Sequence, residues 1–178
     1  IYHRQTNKTY YSRQGCAEKL QLMPDGSITQ VKITSCGLNG GPLEGKGEYP
    51  AYLACNLFTD TPSVYVGEGN FPRVMQDGRD GDVEVGYIAN ITDSSTIGFK
   101  YFDCHDICEI SIWIRGYADG TFEVKTAWDG EVLATLEVQY TNVWEKYTAP
   151  VTIPDGIQAL YLTYRGNGNA ALRSFDIS

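Results

Sequence analysis

Ile110-Ser111-Ile112-Trp113-Ile114-Arg115 decides the fold class, because isoleucine stands at every second position and something quite different stands between. A strand turns successive side chains to opposite faces, so this stretch offers one all-isoleucine face and one carrying Ser111, Trp113 and Arg115. The same period of two returns downstream. Phe122, Val124 and Thr126 alternate with Glu123, Lys125 and Ala127, while Leu160, Leu162 and Tyr164 alternate with Tyr161, Thr163 and Arg165. Val85–Ile91, Ile97–Phe102, Trp144–Ile153 and Leu172–Ile177 complete eight or nine short strands. That density predicts an all-β chain whose rear is an antiparallel β-sandwich of jelly-roll type. Asp119-Gly120 and Asp129-Gly130 read as hairpin turns, since type I′ turns need the positive φ that Asp and Gly tolerate.

Ahead of this region the pattern changes. Ile1-Tyr2-His3-Arg4 reads as the middle of a strand, so the front reads as the back end of something larger. Cys16–Leu22 is the one run of helix-forming residues, ended by the turn signature Pro24-Asp25-Gly26-Ser27, and Ile28, Val31 and Ile33 then alternate with polar residues as in a hairpin. Gly37–Gly47 is a glycine-rich loop, and Tyr49–Phe58 is apolar again. The expected division is a front segment 1–58, a linker 59–70 and a sandwich 71–178.

In 178 residues the chain can bury one good core, or one domain plus a fragment of another. A net charge of −8 opposes binding to phosphate backbones, which excludes nucleic acid as the expected partner. No apolar run approaches the roughly 18 residues of a membrane span. Five cysteines leave at least one unpaired within the chain, and a Cys36–Cys55 bridge would form only in an oxidising compartment, so localisation stays open between secreted and cytoplasmic. Cys104-His105-Asp106-Ile107-Cys108 lacks the second ligand pair of a structural zinc site. Asp77, Asp80 and Asp82 begin like a calcium loop, but Ile88 stands where an EF-hand needs its bidentate Glu. There is no G-x-S-x-G elbow and no phosphate loop.

Aromatic residues are the better lead. Trp113 and Tyr161 oppose the core positions of their strands, and Trp113 stands beside Arg115, so an outward aromatic plane with hydrogen-bond donors is expected on one sheet face. A sugar ring, with its apolar C–H face and hydroxyl rim, suits such a surface. Cover by the N-terminal segment is the alternative fate of Trp113. Trp144, at the start of its strand, is either a binding platform or a packing residue.

The front strings YHRQTN, YSRQGCAEKL, DGSI and TSCGLNGGPL resemble the last blade and closing strand of the five-bladed β-propeller of glycoside hydrolase family 43. The rear, with GYIAN, GFKYF, TNVWEKY and ALRSFDI, resembles the β-sandwich of carbohydrate-binding module family 6. The resemblance implies the C-terminal portion of a hydrolase acting on xylan or arabinoxylan, of xylosidase or arabinofuranosidase type. Its partners would be xylan and arabinoxylan oligosaccharides and the N-terminal propeller of the same protein. The implied reaction is a single inverting displacement, with two carboxyl groups about 6.5–9.5 Å apart leaving room for water. In that family the catalytic carboxylates come from earlier blades, so no catalytic residue is expected in this chain. His3 matches a hub histidine close to a bound ion, and Arg4 matches an arginine near the sugar subsite. Trp144 matches one of two aromatics of a loop cleft, while the second falls at Gly98 and a ligand Asn falls at Ala171. A structural calcium is the cofactor implied, although the Glu and Asp that commonly help hold it fall at Gln76 and Arg173. The remaining readings are a free carbohydrate-binding protein and a purely structural sandwich.

Overall fold

A computed structural model describes residues 1–5, 13–60, 71–78 and 86–178; for Arg4, Gln5, Arg13 and Gln14 it describes the backbone alone. The described residues form strands and two short 3-10 turns. Tyr2–Gln5 (β1) and Arg13–Cys16 (β2) make a two-stranded antiparallel ribbon, followed by the expected turn, in which Asp25 accepts from Ser27 and the Gly26 N–H donates to the Met23 carbonyl at 2.9 Å. Residues 17–22 are not helical, and the alternation after Ile28 yields a single bridge, Leu22 to Ile28. Ile28 and Ile33 are exposed, so no core holds this stretch in a regular strand.

The other strands are Leu43–Glu44 (β3), Gly47–Pro50 (β4), Asn56–Phe58 (β5), Arg73–Gln76 (β6), Gly86–Ile91 (β7), Thr96–Cys104 (β8), Ile107–Gly116 (β9), Asp119–Lys125 (β10), Ala134–Val138 (β11), Thr141–Ile153 (β12), Gly156–Asn167 (β13) and Ala170–Ile177 (β14). They build two facing sheets. Sheet I has the order β11-β10-β13-β8-β3, with β5 also on β8; sheet II has the order β12-β9-β14-β7-β6, with β4 also on β14. Ile110, Ile112 and Ile114 of β9 are fully buried between the sheets, as their period of two requires. Phe99 of β8 meets Phe175 of β14 at 4.4 Å between ring centroids, which joins the two sheets at the centre of the core.

Consecutive strands mostly alternate between sheets. Among the described residues of the sandwich, only β6–β7 and β10–β11 pair as sequence neighbours. Asp129-Gly130 lies in the β10–β11 connection, where the Gly130 N–H donates to the Ala127 carbonyl at 3.1 Å, but neither residue has a positive φ, so the connection is a longer loop and not a type I′ turn. Asp119-Gly120 is not a hairpin turn: it opens β10 after the chain has crossed from sheet II to sheet I. Gly120 serves close approach instead, since a Cβ there would lie 2.2 Å from the Arg165 carbonyl oxygen on β13.

The sandwich also begins earlier than position 71. β4 pairs with β14 from Ser174 to Ile177, β5 pairs with β8 from Thr96 to Gly98, and β3 runs parallel to β8 at Phe102–Asp103. Ala51, Ala54 and Leu57 are buried in the common core. Residues 43–58 are therefore part of the sandwich rather than of the front segment, because β8 and β14 have edges that these short strands close. Most of the expected linker, residues 61–70, lies outside the described residues, while Phe71 is fully buried.

Candidate functional site

The outer face of sheet II gathers Trp113 and Arg115 from β9, Trp144 and Lys146 from β12, Arg173 from β14 and Tyr87 from β7. Each is the outward partner of core residues on its strand: Ile114 separates the first pair, and Ile88 follows Tyr87. β9 lies between β12 and β14, which brings the row together. The Arg115 guanidinium stacks over Trp144 at 4.3 Å and over Tyr87 at 5.0 Å, while these two rings meet edge-on at 5.6 Å. Arg115 also donates through Nη2 to Asp77 Oδ1 at 2.9 Å and is ion-paired to Oδ2 at 2.8 Å, and this bond raises its already high pKa further. Lys146 sits over Trp113 at 4.8 Å, and Arg173 lies 5.9 Å from Trp113 and 5.7 Å from Trp144. Cation–π contacts of this kind order long side chains against the rings and fix the hydrogen-bond donors beside them.

The slot between Tyr87 and Trp144 is filled by Arg115, so a sugar ring cannot enter it while Arg115 remains held by Asp77. What the face offers is a surface for stacking, with donors at its rim. Beside it opens a cavity of about 480 Å³ lined by Glu48, Tyr52, Gly86, Arg173 and Ser174. There the Ser174 hydroxyl donates to Glu48 at 2.7 Å. Gly86 is required at this wall, because a Cβ would come within 2.6 Å of the Tyr52 ring.

Trp113, Arg115 and Trp144 thus meet on one face, but Tyr161 does not join them. It belongs to β13 of sheet I, on the opposite side of the molecule, and is only 6% exposed. Its ring lies across Gly98, where a Cβ would approach to 2.8 Å, and Trp128 closes over it edge-on at 5.8 Å with Lys100 at 5.6 Å. Tyr161 is a packing residue, and the expected Trp113–Arg115–Tyr161 surface does not form, because β9 and β13 belong to different sheets. Gly98 is accordingly a mid-strand position beneath Tyr161, and Ala171 of β14 pairs with Arg115 of β9. The aromatic partner of Trp144 is Tyr87, which the sequence reading missed; its alternation with Ile88 in Gly86-Tyr87-Ile88 was the available signal.

His3 is exposed on β1, and the Arg4 side chain lies outside the described residues, as do Asp80 and Asp82. Among the described residues no three His, Cys, Asp or Glu side chains converge as metal ligands. For calcium, Arg173 puts a cation where the resemblance needs a carboxylate, so the described residues do not fit that ion. None of the five cysteines is in a disulfide, and Cys36 receives the Tyr101 N–H at 3.3 Å rather than bridging Cys55. No helix of the described residues is long and apolar enough to cross a membrane.

The architecture is the β-sandwich of the family 6 carbohydrate-binding modules. A family 6 module from Clostridium cellulolyticum, solved in complex with xylose, superposes with a TM-score of 0.61 at 12% identity, covering 76% of this chain and 98% of that one. A glycoside hydrolase family 43 arabinoxylan arabinofuranohydrolase from Bacillus subtilis, in complex with cellotetraose, gives 0.61 at 18% identity over 90% of this chain and 33% of its own. In sequence the chain is 56% identical, over 99% of its length, to a xylosidase/arabinosidase of Thermoclostridium stercorarium, and it spans 39% of that relative's length. No family model matches the chain. The chain resembles the C-terminal part of a family 43-like hydrolase joined to a family 6-like module, as its front and rear strings imply.

Proposed function

We propose that the chain is the non-catalytic C-terminal portion of a hydrolase of xylan or arabinoxylan, and that its sandwich holds the polysaccharide on the outer face of sheet II. The observation that carries this reading is the row formed by Trp113, Trp144 and Tyr87, in which aromatic planes and the donors of Arg115, Lys146 and Arg173 share one surface. Trp113 stacks on a sugar ring, and Lys146 and Arg173 donate to its hydroxyls. Glu48 adds an acceptor at the adjoining cavity, its carboxylate oriented by the Ser174 hydroxyl. The catalytic carboxylates belong to the remainder of the longer protein, with which the front segment makes contact. Leu20, Leu22, Ile28, Ile33 and Leu38 are exposed there, an apolar surface of the kind that a partner domain covers.

The test is calorimetric titration of xylotetraose and of arabinoxylo-oligosaccharides into the whole chain, Trp113→Ala and Trp144→Ala. Trp113→Ala is expected to weaken binding about fivefold or more, the scale of one lost stacking contact, and Trp144→Ala to weaken it less, by releasing Arg115 beside the stacking ring. Undiminished binding by both variants would place the site elsewhere. The filled slot between Tyr87 and Trp144 favours one other reading, in which this face packs against the remainder of the protein; absence of binding by the unsubstituted chain selects it.

A further inference from the structure

At one end of the sandwich Tyr117 and Tyr140 stack at 4.9 Å with 27° between their planes, yet they remain 71% and 57% exposed. Two aromatic rings left this far in water are not core residues, and their mutual contact covers only one side of each. Tyr117 follows β9 and Tyr140 precedes β12, the strands that carry Trp113, Arg115 and Trp144. Gly116 and Thr141 are register partners at the junction, so the pair continues the same end of sheet II.

Hydrogen bonds fix the backbone on both sides of the pair. Fully buried Tyr164 accepts from the Asp119 N–H at 3.0 Å and donates to the Asn167 carbonyl at 2.6 Å, which ties the loop after β9 to the turn before β14. Gly168, at φ +73°, lets that turn lie against Tyr117, since a Cβ would stand 1.6 Å from the Tyr117 carbonyl oxygen. On the other side Tyr147 donates to the Gln139 carbonyl at 3.2 Å, and the Thr141 hydroxyl bonds to the Val143 carbonyl at 3.0 Å. A platform fixed in this way loses little entropy when a ligand settles on it. Its chemistry is also distinctive: in a chain that is 20% charged, residues 116–118, 139–144 and 166–172 carry no charge of their own, Asn142, Asn167 and Asn169 are exposed, and the nearby carboxylates are Asp119, exposed after Ala118, and Asp93, which accepts from the Gly166 N–H at 3.0 Å. Aromatic planes on segments rich in amides, with carboxylates as acceptors at their margin, fit an uncharged ligand with a C–H face and a hydroxyl rim.

We propose that the Tyr117–Tyr140 pair is a further saccharide subsite, stacking an uncharged sugar residue while the neighbouring asparagine amides bond its hydroxyls. This rests on the reading of the sandwich as a polysaccharide-binding module, and it lengthens the surface beyond Trp144.

Affinity electrophoresis of the whole chain through gels containing soluble arabinoxylan separates the two claims. Tyr117→Ala/Tyr140→Ala is expected to bind about tenfold more weakly than the unsubstituted chain, equivalent to about 1.4 kcal/mol. Tyr117→Phe/Tyr140→Phe keeps the rings and is expected to bind within about threefold of the unsubstituted chain. The melting temperature should hold in both, since exposed rings contribute little to stability. Unchanged retardation of the alanine variant overturns the subsite while leaving the Trp113–Trp144 face standing. No retardation of the unsubstituted chain overturns both. Loss of retardation with Tyr117→Ala/Tyr140→Ala but not with Trp113→Ala/Trp144→Ala supports the subsite and removes the sheet face. Sedimentation as a dimer that the alanine variant converts to a monomer overturns the subsite, by showing that the pair is a self-contact.

Discussion

A fragment beginning at Phe71 is expected not to fold as the whole chain does, because it lacks three strands that close the sandwich. It loses β4 from the edge of β14, and β3 and β5 from β8, together with buried Ala51, Ala54 and Leu57. Tyr49 goes as well, and its ring packs on Phe102 at 5.1 Å and on Phe175 at 5.7 Å. Burial of the Leu57 side chain and the Tyr49 ring is worth about 2 kcal/mol each on apolar-area grounds. Opening Phe102 and Phe175 to water costs on the order of 2 kcal/mol more. A loss of about 5 kcal/mol or more is comparable with the whole stability of a domain, about 5–15 kcal/mol. At about 4 °C per kcal/mol or more, the melting temperature falls by at least about 20 °C, if a cooperative transition survives at all. Near-UV circular dichroism during thermal melting reads this directly, since the core aromatics report tertiary packing. A fragment 71–178 that melts cooperatively within about 5 °C of the whole chain would refute the assignment of residues 43–58 to the core.

Tyr164→Phe leaves the Asp119 N–H and the Asn167 carbonyl without their partner, and should cost about 1–3 kcal/mol in urea denaturation; an unchanged midpoint would show that water replaces the hydroxyl. Stability should also fall at alkaline pH. Burial raises the Cys104 thiol above its ordinary 9.0 and the phenols of Tyr49, Tyr147 and Tyr164 above their ordinary 10.0. The unfolded chain therefore releases these protons first, so their contribution is complete below about pH 9 and is lost as pH rises through the raised folded values. Melting temperatures measured from pH 7 to 11 should be level at first and then drop, less steeply for Cys104→Ala; no drop would contradict the burial of these groups.

Much of the sandwich was legible because β9, β10 and β14 alternate buried with more exposed residues over much of their length, and that alternation alone separates Ile110, Ile112 and Ile114 from Trp113 and Arg115. The same pattern is silent about which sheet a strand joins. Trp113 and Tyr161 each point away from the core, yet they stand on opposite outer faces, since the chain crosses between sheets at Asp119-Gly120 instead of turning back as a hairpin. β3, β4 and β5 are too short to show a period, and their place comes from the edges of β8 and β14. The pairing of Arg115 with Asp77 joins residues 38 positions apart through a register no local signal announces. Tyr87 was visible as an outward residue on its strand, but its meeting with Trp144 depends on β14 and β9 lying between β7 and β12.

The three indole N–H groups provide a direct reading of where sugar is held, because Trp113 and Trp144 lie on the outer face of sheet II while Trp128 covers Tyr161 on sheet I. In a titration of the ¹⁵N-labelled whole chain with arabinoxylo-oligosaccharide, the indole resonances of Trp113 and Trp144 are expected to move together and saturate, with that of Trp128 fixed. Movement of Trp128 alone, or of none of the three at saturating ligand, would contradict the assignment of the sheet II face as a polysaccharide-binding surface.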